Sequence, residues 1–283
     1  MVELEKVVFI GGAGHSGSTL LGLMLGAHSG VFYAGEARKS LFLGDSSKPL
    51  KKRVCKLCGE LCPVWGGLRL APGEDLYAAL ARRTSRSVVV DSTKNLSWLE
   101  ERIDRLSRSE VDLSLLFLVR DGRAVVCSRL RKYPEKTARA HAEAWVAQIR
   151  ATEALAARFP GRVLQVRYEE LASRPAAEMR RVAEHVGISL EPAMLEPWST
   201  EQHPLGGNDG TQLLMARERS GEVVGLTERT RARYGAHPPK IVLDLRWTRE
   251  LSEDARADFE DVAGQVNRAY AWDERASGEE TGA

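Results

Sequence analysis

Residues 7–21 read Val-Val-Phe-Ile-Gly-Gly-Ala-Gly-His-Ser-Gly-Ser-Thr-Leu-Leu. An apolar run at 7–10 enters a glycine-rich turn and leaves into a second apolar segment at 20–25. Strand, turn and helix in that order, with the frame Gly12-x-x-x-x-Gly17, predict a phosphate-binding loop. Backbone amides from Gly14 through Ser16 to Thr19 would face one concavity at a helix N-terminus, where unpaired N–H groups and the helix dipole attract an anion. Ser16, Ser18 and Thr19 add hydroxyls, and His15 stands at the crest. A loop that moves a γ-phosphoryl group carries a lysine after the second glycine and works with magnesium. Here that position is Ser18. The expected ligand is a nucleotide other than ATP, held through one phosphate.

The chain has 283 residues, 43% of them hydrophobic, which suits one large α/β domain. A net charge of +2 argues against wholesale nucleic-acid binding. Of 41 cations only 10 are lysine, and arginine suits phosphate and sulfate recognition. No apolar run reaches the length of a membrane span, and the acidic start, Met1 to Lys6, lacks a leader pattern. The expectation is a cytoplasmic enzyme that uses neither membrane nor nucleic acid; oligomeric state is not readable.

Strand-like runs recur at 7–10, 88–90, 113–119 and 163–167, with amphipathic stretches at 96–106, 124–132, 135–158 and 176–186. This alternation predicts a three-layer α/β fold, a mainly parallel sheet flanked by helices, like that of P-loop nucleotide hydrolases. Ligands in such folds bind beyond the carboxyl ends of the strands. Polar clusters follow the runs directly: Asp91-Ser92-Thr93-Lys94, Arg120-Asp121-Gly122-Arg123 and Tyr168-Glu169-Glu170. Residues 1–273 are expected to form one domain. Within it, residues 38–75 form a cysteine-containing insertion on the acceptor side, and 197–240 form a lid over the nucleotide. Residues 274–283 are small and polar, the composition of a disordered tail.

Cys55-x-x-Cys58-x-x-x-Cys62 suits three thiolates on zinc, a disulfide or redox pair, or reduced thiols in a knuckle-like loop. No fourth ligand stands nearby in sequence, and Cys127 belongs to another motif. No metal is expected.

With these clusters assembled, the chain resembles sulfotransferases that use 3′-phosphoadenosine 5′-phosphosulfate (PAPS). Their 5′-phosphosulfate loop is similar to Gly14-His15-Ser16-Gly17-Ser18-Thr19, and their 3′-phosphate motif to the stretch from Val119 to Leu130. The resemblance implies that Arg120 and Ser128 hold the 3′-phosphate and that Tyr168, in Arg167-Tyr168-Glu169-Glu170-Leu171, lies near the adenine. Ala34-Gly35-Glu36-Ala37-Arg38 resembles the segment of protein-tyrosine sulfotransferases whose glutamate is the general base, which implies that role for Glu36. Lys94 matches a lysine on the bridging or sulfuryl oxygens. The family often has Arg or Lys where this chain has His15, so His15 is read as a neutral donor, a cation at the leaving group, or a rival base. His203-Pro204-Leu205-Gly206-Gly207-Asn208 resembles a segment of bacterial and carbohydrate sulfotransferases instead.

The implied activity is in-line sulfuryl transfer from PAPS to a hydroxyl of an acceptor, with no metal required. The acceptor is a small-molecule phenol or alcohol, a sugar or a peptide tyrosine, with a small molecule favoured. Two rivals stand beside it. One is a divergent P-loop kinase with Lys94 serving from a distance and Asp91 holding magnesium. The other is a non-catalytic sensor of adenine nucleotides.

Overall fold

The structure is a computed structural model, and it describes residues 2–217, 223–235 and 239–273. The tail expected to be disordered, 274–283, lies outside the described residues, as do Arg219, Gly221 and Pro238 of the expected lid.

Five parallel strands form the sheet, in the spatial order β2-β3-β1-β4-β5. In chain order the elements are β1 (Lys6–Gly11), α1 (Ser18–Gly26), β2 (Val31–Gly35), α2 (Leu50–Arg53), α3 (Leu76–Thr84), β3 (Val88–Asp91), α4 (Leu96–Leu106) and β4 (Asp112–Val119). There follow α5 (Gly122–Lys132), α6 (Ala138–Ala157), β5 (Arg162–Arg167), α7 (Tyr168–Ser173), α8 (Pro175–Val186), α9 (Asp209–Arg217), α10 (Glu228–Tyr234), α11 (Trp247–Glu250) and α12 (Glu253–Asn267). The expected α/β class holds, and the sheet is wholly parallel among the described residues.

Side-chain alternation along the strands builds the layers. Val7 and Phe9 of β1 enter a core with Tyr77 and Leu80 of α3 and Leu99 and Ile103 of α4. Val8 and Ile10 enter the opposite core, with Leu21 and Leu25 of α1 and Met179 and Val182 of α8. Both faces of β1 are therefore dry, which is why 7–10 reads as an unbroken apolar run. Beyond β4, Trp145 of α6 and Phe259 of α12 pack with centroids 5.9 Å apart in a third cluster.

The helices start where local chemistry starts them. Asn95 caps α4 by accepting from the Trp98 amide at 2.9 Å, Asp121 caps α5 through Arg123 at 2.9 Å, and Thr137 caps α6 through Ala140 at 3.2 Å. The run 135–158 accordingly loses its first three residues to the turn that ends at the cap, Thr137, and α6 begins at Ala138.

Chain order fixes where a ligand belongs. From β1 the chain passes to β2 on one side; from β4 it passes to β5 on the other. The crevice between the carboxyl ends of β1 and β4 is the point where the winding reverses, the usual ligand position in open parallel sheets. The loop after β1 begins there with Gly12, whose φ is +120°. A Cβ at Gly12 would sit 2.1 Å from the carbonyl oxygen of Leu118 on β4, so only glycine brings the two strand ends this close.

Candidate functional site

A cleft of about 810 Å³ opens over the carboxyl ends of the strands, within the range of about 300–1,000 Å³ common for small-molecule sites. Each strand delivers one contribution to it: Glu36 after β2, Ser92 and Lys94 after β3, the glycine loop after β1, Arg120 after β4 and Tyr168 after β5. Neighbouring strands lie about 4.8 Å apart. Glu36 and Arg120 are thus three strand intervals apart, about 14 Å, with the loop and Lys94 between them.

Within the loop, Gly14, His15, Gly17, Ser18 and Thr19 line the cleft. The Gly14 amide is spent on Gln148 Oε1 at 3.0 Å and the Ser16 amide on Ala13 O at 3.3 Å. The expected ring of amides therefore loses Gly14 and Ser16, while at the start of α1 Ser18 and Thr19 open the helix with N–H groups that have no intrahelical acceptor. Ser16 departs from expectation: it is buried beneath the loop, does not line the cleft, and its hydroxyl has no protein partner. Gly17 (φ +95°) lets the loop lie on the Tyr168 ring, because a Cβ there would fall 2.6 Å from Tyr168 Cδ2. Thr19 Oγ1 accepts from the Asn208 amide at 2.9 Å.

His15 takes a positive φ of 75°, unusual for a side chain with a Cβ. Its Nδ1 lies 2.9 Å from Ser128 Oγ, joining the two motifs that sequence reading had placed on one ligand. Burial, aided by the Lys132, Arg129, Arg120 and His141 charges, pushes the imidazole down to about 3. His15 is therefore neutral at neutral pH. A neutral imidazole has one N–H to donate and one ring nitrogen to accept with.

Arg120 is 6% exposed. It donates to His15 O and to Asp244 O, each at 3.0 Å, and pairs with Asp244 Oδ2 at 3.2 Å. Its Nε is buried without a partner, and its guanidinium carbon lies 4.2 Å from the centroid of the Tyr168 ring. Tyr168 OH donates to Val242 O at 3.1 Å. Burial alone would raise the Asp244 carboxyl, but hydrogen bonds from Arg246 and the Arg120 charge hold it well below the usual carboxylate range. Sequence reading missed Asp244, Arg246 and Lys132, all of which line the cleft.

Lys94 is half-buried and donates to Ile10 O, near the end of β1, at 2.7 Å. Burial lowers it to about 8 against the opposing pull of Glu36 and Asp91. Glu36 accepts from the Gly207 amide at 3.1 Å and pairs with Lys39 at 2.8 Å. Burial would raise Glu36, but the charge and hydrogen bond of Lys39, the Gly207 amide and Lys94 together hold it below its ordinary value. It is a carboxylate at neutral pH, as a base must be.

The Glu36 loop is positioned by two long-range contacts. Leu205 pairs with β2 as an isolated bridge to Gly35, with Leu205 N on Ala34 O at 3.0 Å and Glu36 N on Leu205 O at 2.7 Å. From below, Asp91 Oδ1 accepts from Ala37 N (3.1 Å) and Thr93 N (2.8 Å), while Oδ2 accepts from Tyr77 OH (2.8 Å) and Trp98 Nε1 (3.0 Å). Asp91 is fully buried with both oxygens engaged. That leaves the kinase reading without its magnesium carboxylate at this position.

Residues 197–240 contribute Trp198, Gly207, Asn208, Thr211, Leu214 and Tyr234 to the cleft, partly from α9 and α10 rather than from an irregular coil. The insertion 38–75 does not line the cleft. It bears on it through Lys39 and through the back of 203–209, where Lys56 donates to Gly207 O at 3.4 Å and pairs with Asp209.

Residues 69–192 match the model of the sulfotransferase family. That segment holds Lys94, Arg120, Ser128 and Tyr168; the glycine loop and Glu36 precede it. No curated protein sequence matches the chain. Among solved structures, a sulfotransferase domain from the curacin biosynthetic pathway is similar with a TM-score of 0.58 and 17% identity, over 96% of this chain and 100% of that one. The sulfotransferase domain of the Synechococcus PCC 7002 olefin synthase is similar with a TM-score of 0.53 and 19% identity, over 96% of this chain and 97% of that one. These two likenesses establish a shared fold. Among the described residues no helix is long and apolar enough to cross a membrane.

Proposed function

We propose that this chain, an enzyme of the sulfotransferase family, takes its sulfuryl group from PAPS and delivers it to the hydroxyl of a small-molecule acceptor. One observation carries the reading: the strand ends present base, cation, anion loop, arginine and aromatic ring in the order in which acceptor, sulfuryl group, 5′-phosphate, 3′-phosphate and adenine would lie.

The residues present suit the donor. The first-turn amides of α1 and the hydroxyls of Ser18 and Thr19 take the 5′-phosphosulfate. Arg120, whose buried Nε lacks a partner, and Ser128 take the 3′-phosphate. Tyr168 offers a ring for the base, fixed through its hydroxyl. Arg246 keeps Asp244 neutralised while a second anion shares Arg120, through contacts of 2.6 and 2.7 Å. Leu20, Trp198 and Leu214 add apolar wall to the cleft, which suits the aromatic or aliphatic body of a small molecule.

In the transfer the acceptor oxygen forms a bond to sulfur as the bond from sulfur to the bridging phosphate oxygen breaks. Glu36 accepts the acceptor's proton. Charge passes to the departing phosphate, where Lys94 and the His15 N–H stabilise it. The bond cleaved belongs to sulfur, and the adenosine 3′,5′-bisphosphate (PAP) leaves intact.

Incubation with PAPS and a panel of phenols, alcohols and sugars is expected to release PAP in step with sulfated acceptor. Release of neither from any acceptor class, by a chain that still binds PAP, would favour the sensor reading. The same assay tests Lys94. With its ammonium at about 8, kcat/KM for PAPS is expected to fall as pH rises through about 8, because the required charge is lost above that value. The limb should shift upward in kcat, since a bound anion raises the lysine, and it should vanish in Lys94→Met at a much lower plateau. A wild-type profile flat to pH 9.5, about 1.5 units above the expected limb, would remove Lys94 from the mechanism.

A further inference from the structure

We infer that Cys55, Cys58, Cys62 and His203 form a zinc site that fastens the 55–62 loop to the segment holding Glu36. The inference is independent of the donor and acceptor assignments.

The four ligand atoms lie within 4.8 Å of one another. Tetrahedral zinc with bonds of about 2.0–2.3 Å requires ligand atoms about 3.5–3.8 Å apart, so the cluster closes on an ion by small side-chain movements. Cys58 Sγ is already 3.1 Å from His203 Nδ1. The other imidazole nitrogen, Nε2, is 3.4 Å from Glu201 Oε1, the carboxylate partner that orients a metal-bound histidine and fixes its tautomer. Cys55, Cys62 and His203 are buried. The turn is built to gather sulfur: Gly59 takes a φ of +72° and donates its amide to Cys55 O at 2.8 Å, folding the chain sharply right after Cys58. None of the four cysteines is disulfide-bonded. A Cys₃His set with no open position is the donor chemistry of structural zinc rather than of magnesium or calcium.

Three of these ligands share one short sequence motif, whereas His203 lies far along the chain. The fold supplies it. The same junction is sewn by Trp65 Nε1 donating to His203 O and by Val224 N donating to Lys56 O at 2.7 Å. Two residues past His203, Leu205 pairs with β2, and the Gly207 amide holds Glu36. Zinc here would brace the acceptor side of the cleft from behind. Binding exchanges three thiol protons for one divalent ion, so retention should weaken as pH falls.

The test is metal analysis of the full chain, made in zinc-supplemented medium and purified without chelator under mild reductant. About one zinc per chain is expected for the wild type and for Cys127→Ser, against sharply less for Cys58→Ser. Loss of an orienting partner alone costs 10–100-fold in metal affinity, so loss of a ligand should cost at least about tenfold. So that misfolding of Cys58→Ser does not decide the test, the demetallated wild type and Cys58→His are titrated with cobalt(II). Both are expected to bind one equivalent with tetrahedral ligand-field bands, and the thiolate charge-transfer band should be weaker in Cys58→His, which keeps two sulfurs. Zinc-free wild type that gives no thiolate–cobalt band would overturn the inference. So would a disulfide among Cys55, Cys58 and Cys62 found by mass spectrometry in the protein as isolated.

Discussion

Glu36→Gln is expected to lower turnover by about 10²–10⁴-fold, the usual contribution of a positioned general base, while PAP binds as tightly as to wild type. The isostere retains the Gly207 contact, since an amide oxygen accepts that N–H as a carboxylate oxygen does, and it leaves the Leu205–β2 pairing untouched. What it removes is the proton acceptor and the charge facing Lys39 and Lys94. Removing that charge should also lower Lys94 further, so the alkaline limb of kcat/KM should move below about 8 in the variant. The wild-type acid limb is expected below the ordinary glutamate value, because a carboxyl held low in the folded protein stays ionised until the pH falls further. Rates follow from initial velocities over a pH series, and binding from calorimetry. Retention of wild-type turnover by Glu36→Gln would remove the carboxylate from the proton transfer and reopen the question for His15, despite its low basicity.

Arg120→Ala is the second large effect. A charge-assisted arginine–phosphate contact contributes roughly 1.5–3 kcal/mol, so PAP affinity should drop about 10–100-fold, with 5′-AMP affinity nearly unchanged. The comparison with 5′-AMP is needed because Arg120 also props the loop through His15 O and anchors Asp244. Collapse of the loop would weaken both ligands alike, whereas loss of a 3′-phosphate contact changes only their ratio. Ser128→Ala supplies the milder companion: it leaves the Arg120 contacts in place and should cost PAP alone about 1 kcal/mol. Equal losses for PAP and 5′-AMP in both variants would take the 3′-phosphate away from this pair.

What could be read ahead of the structure was what local chemistry dictates. Val7 to Ile10 is apolar on both faces because both faces of β1 are covered, and the glycines that follow permit an approach to Leu118 that no side chain allows. Lys94, Arg120 and Tyr168 were found because each follows a strand with little delay, so one end of one parallel sheet gathers them. β2 escaped notice. Val31–Gly35 is five buried residues just after the apolar helix α1, without alternation, and only Ala27-His28-Ser29-Gly30 separates the two. That omission hid the sheet position of Glu36, which resemblance alone had suggested.

The remainder depends on pairing between distant segments, which no local pattern announces. Leu205 joining β2, the Gly207 amide reaching Glu36, Asp244 standing between Arg120 and Arg246, and His203 arriving at the cysteines are all of this kind. Ser16 failed for a smaller reason. The chain turns back at this point, with the Ser16 amide on Ala13 O and its side chain buried, while Ser18, the first residue of α1, lines the cleft.

The central claim is a donor site built for a 3′-phosphorylated adenine nucleotide without metal assistance at the phosphate. Calorimetric titration of the wild-type chain with PAP, ADP and ATP, each with and without magnesium, tests it most directly. The account predicts PAP binding that is tight and indifferent to magnesium, with ADP and ATP weaker by at least the roughly tenfold worth of the Arg120 contact. ATP binding that requires magnesium, together with equal affinity for PAP and 5′-AMP, would contradict it.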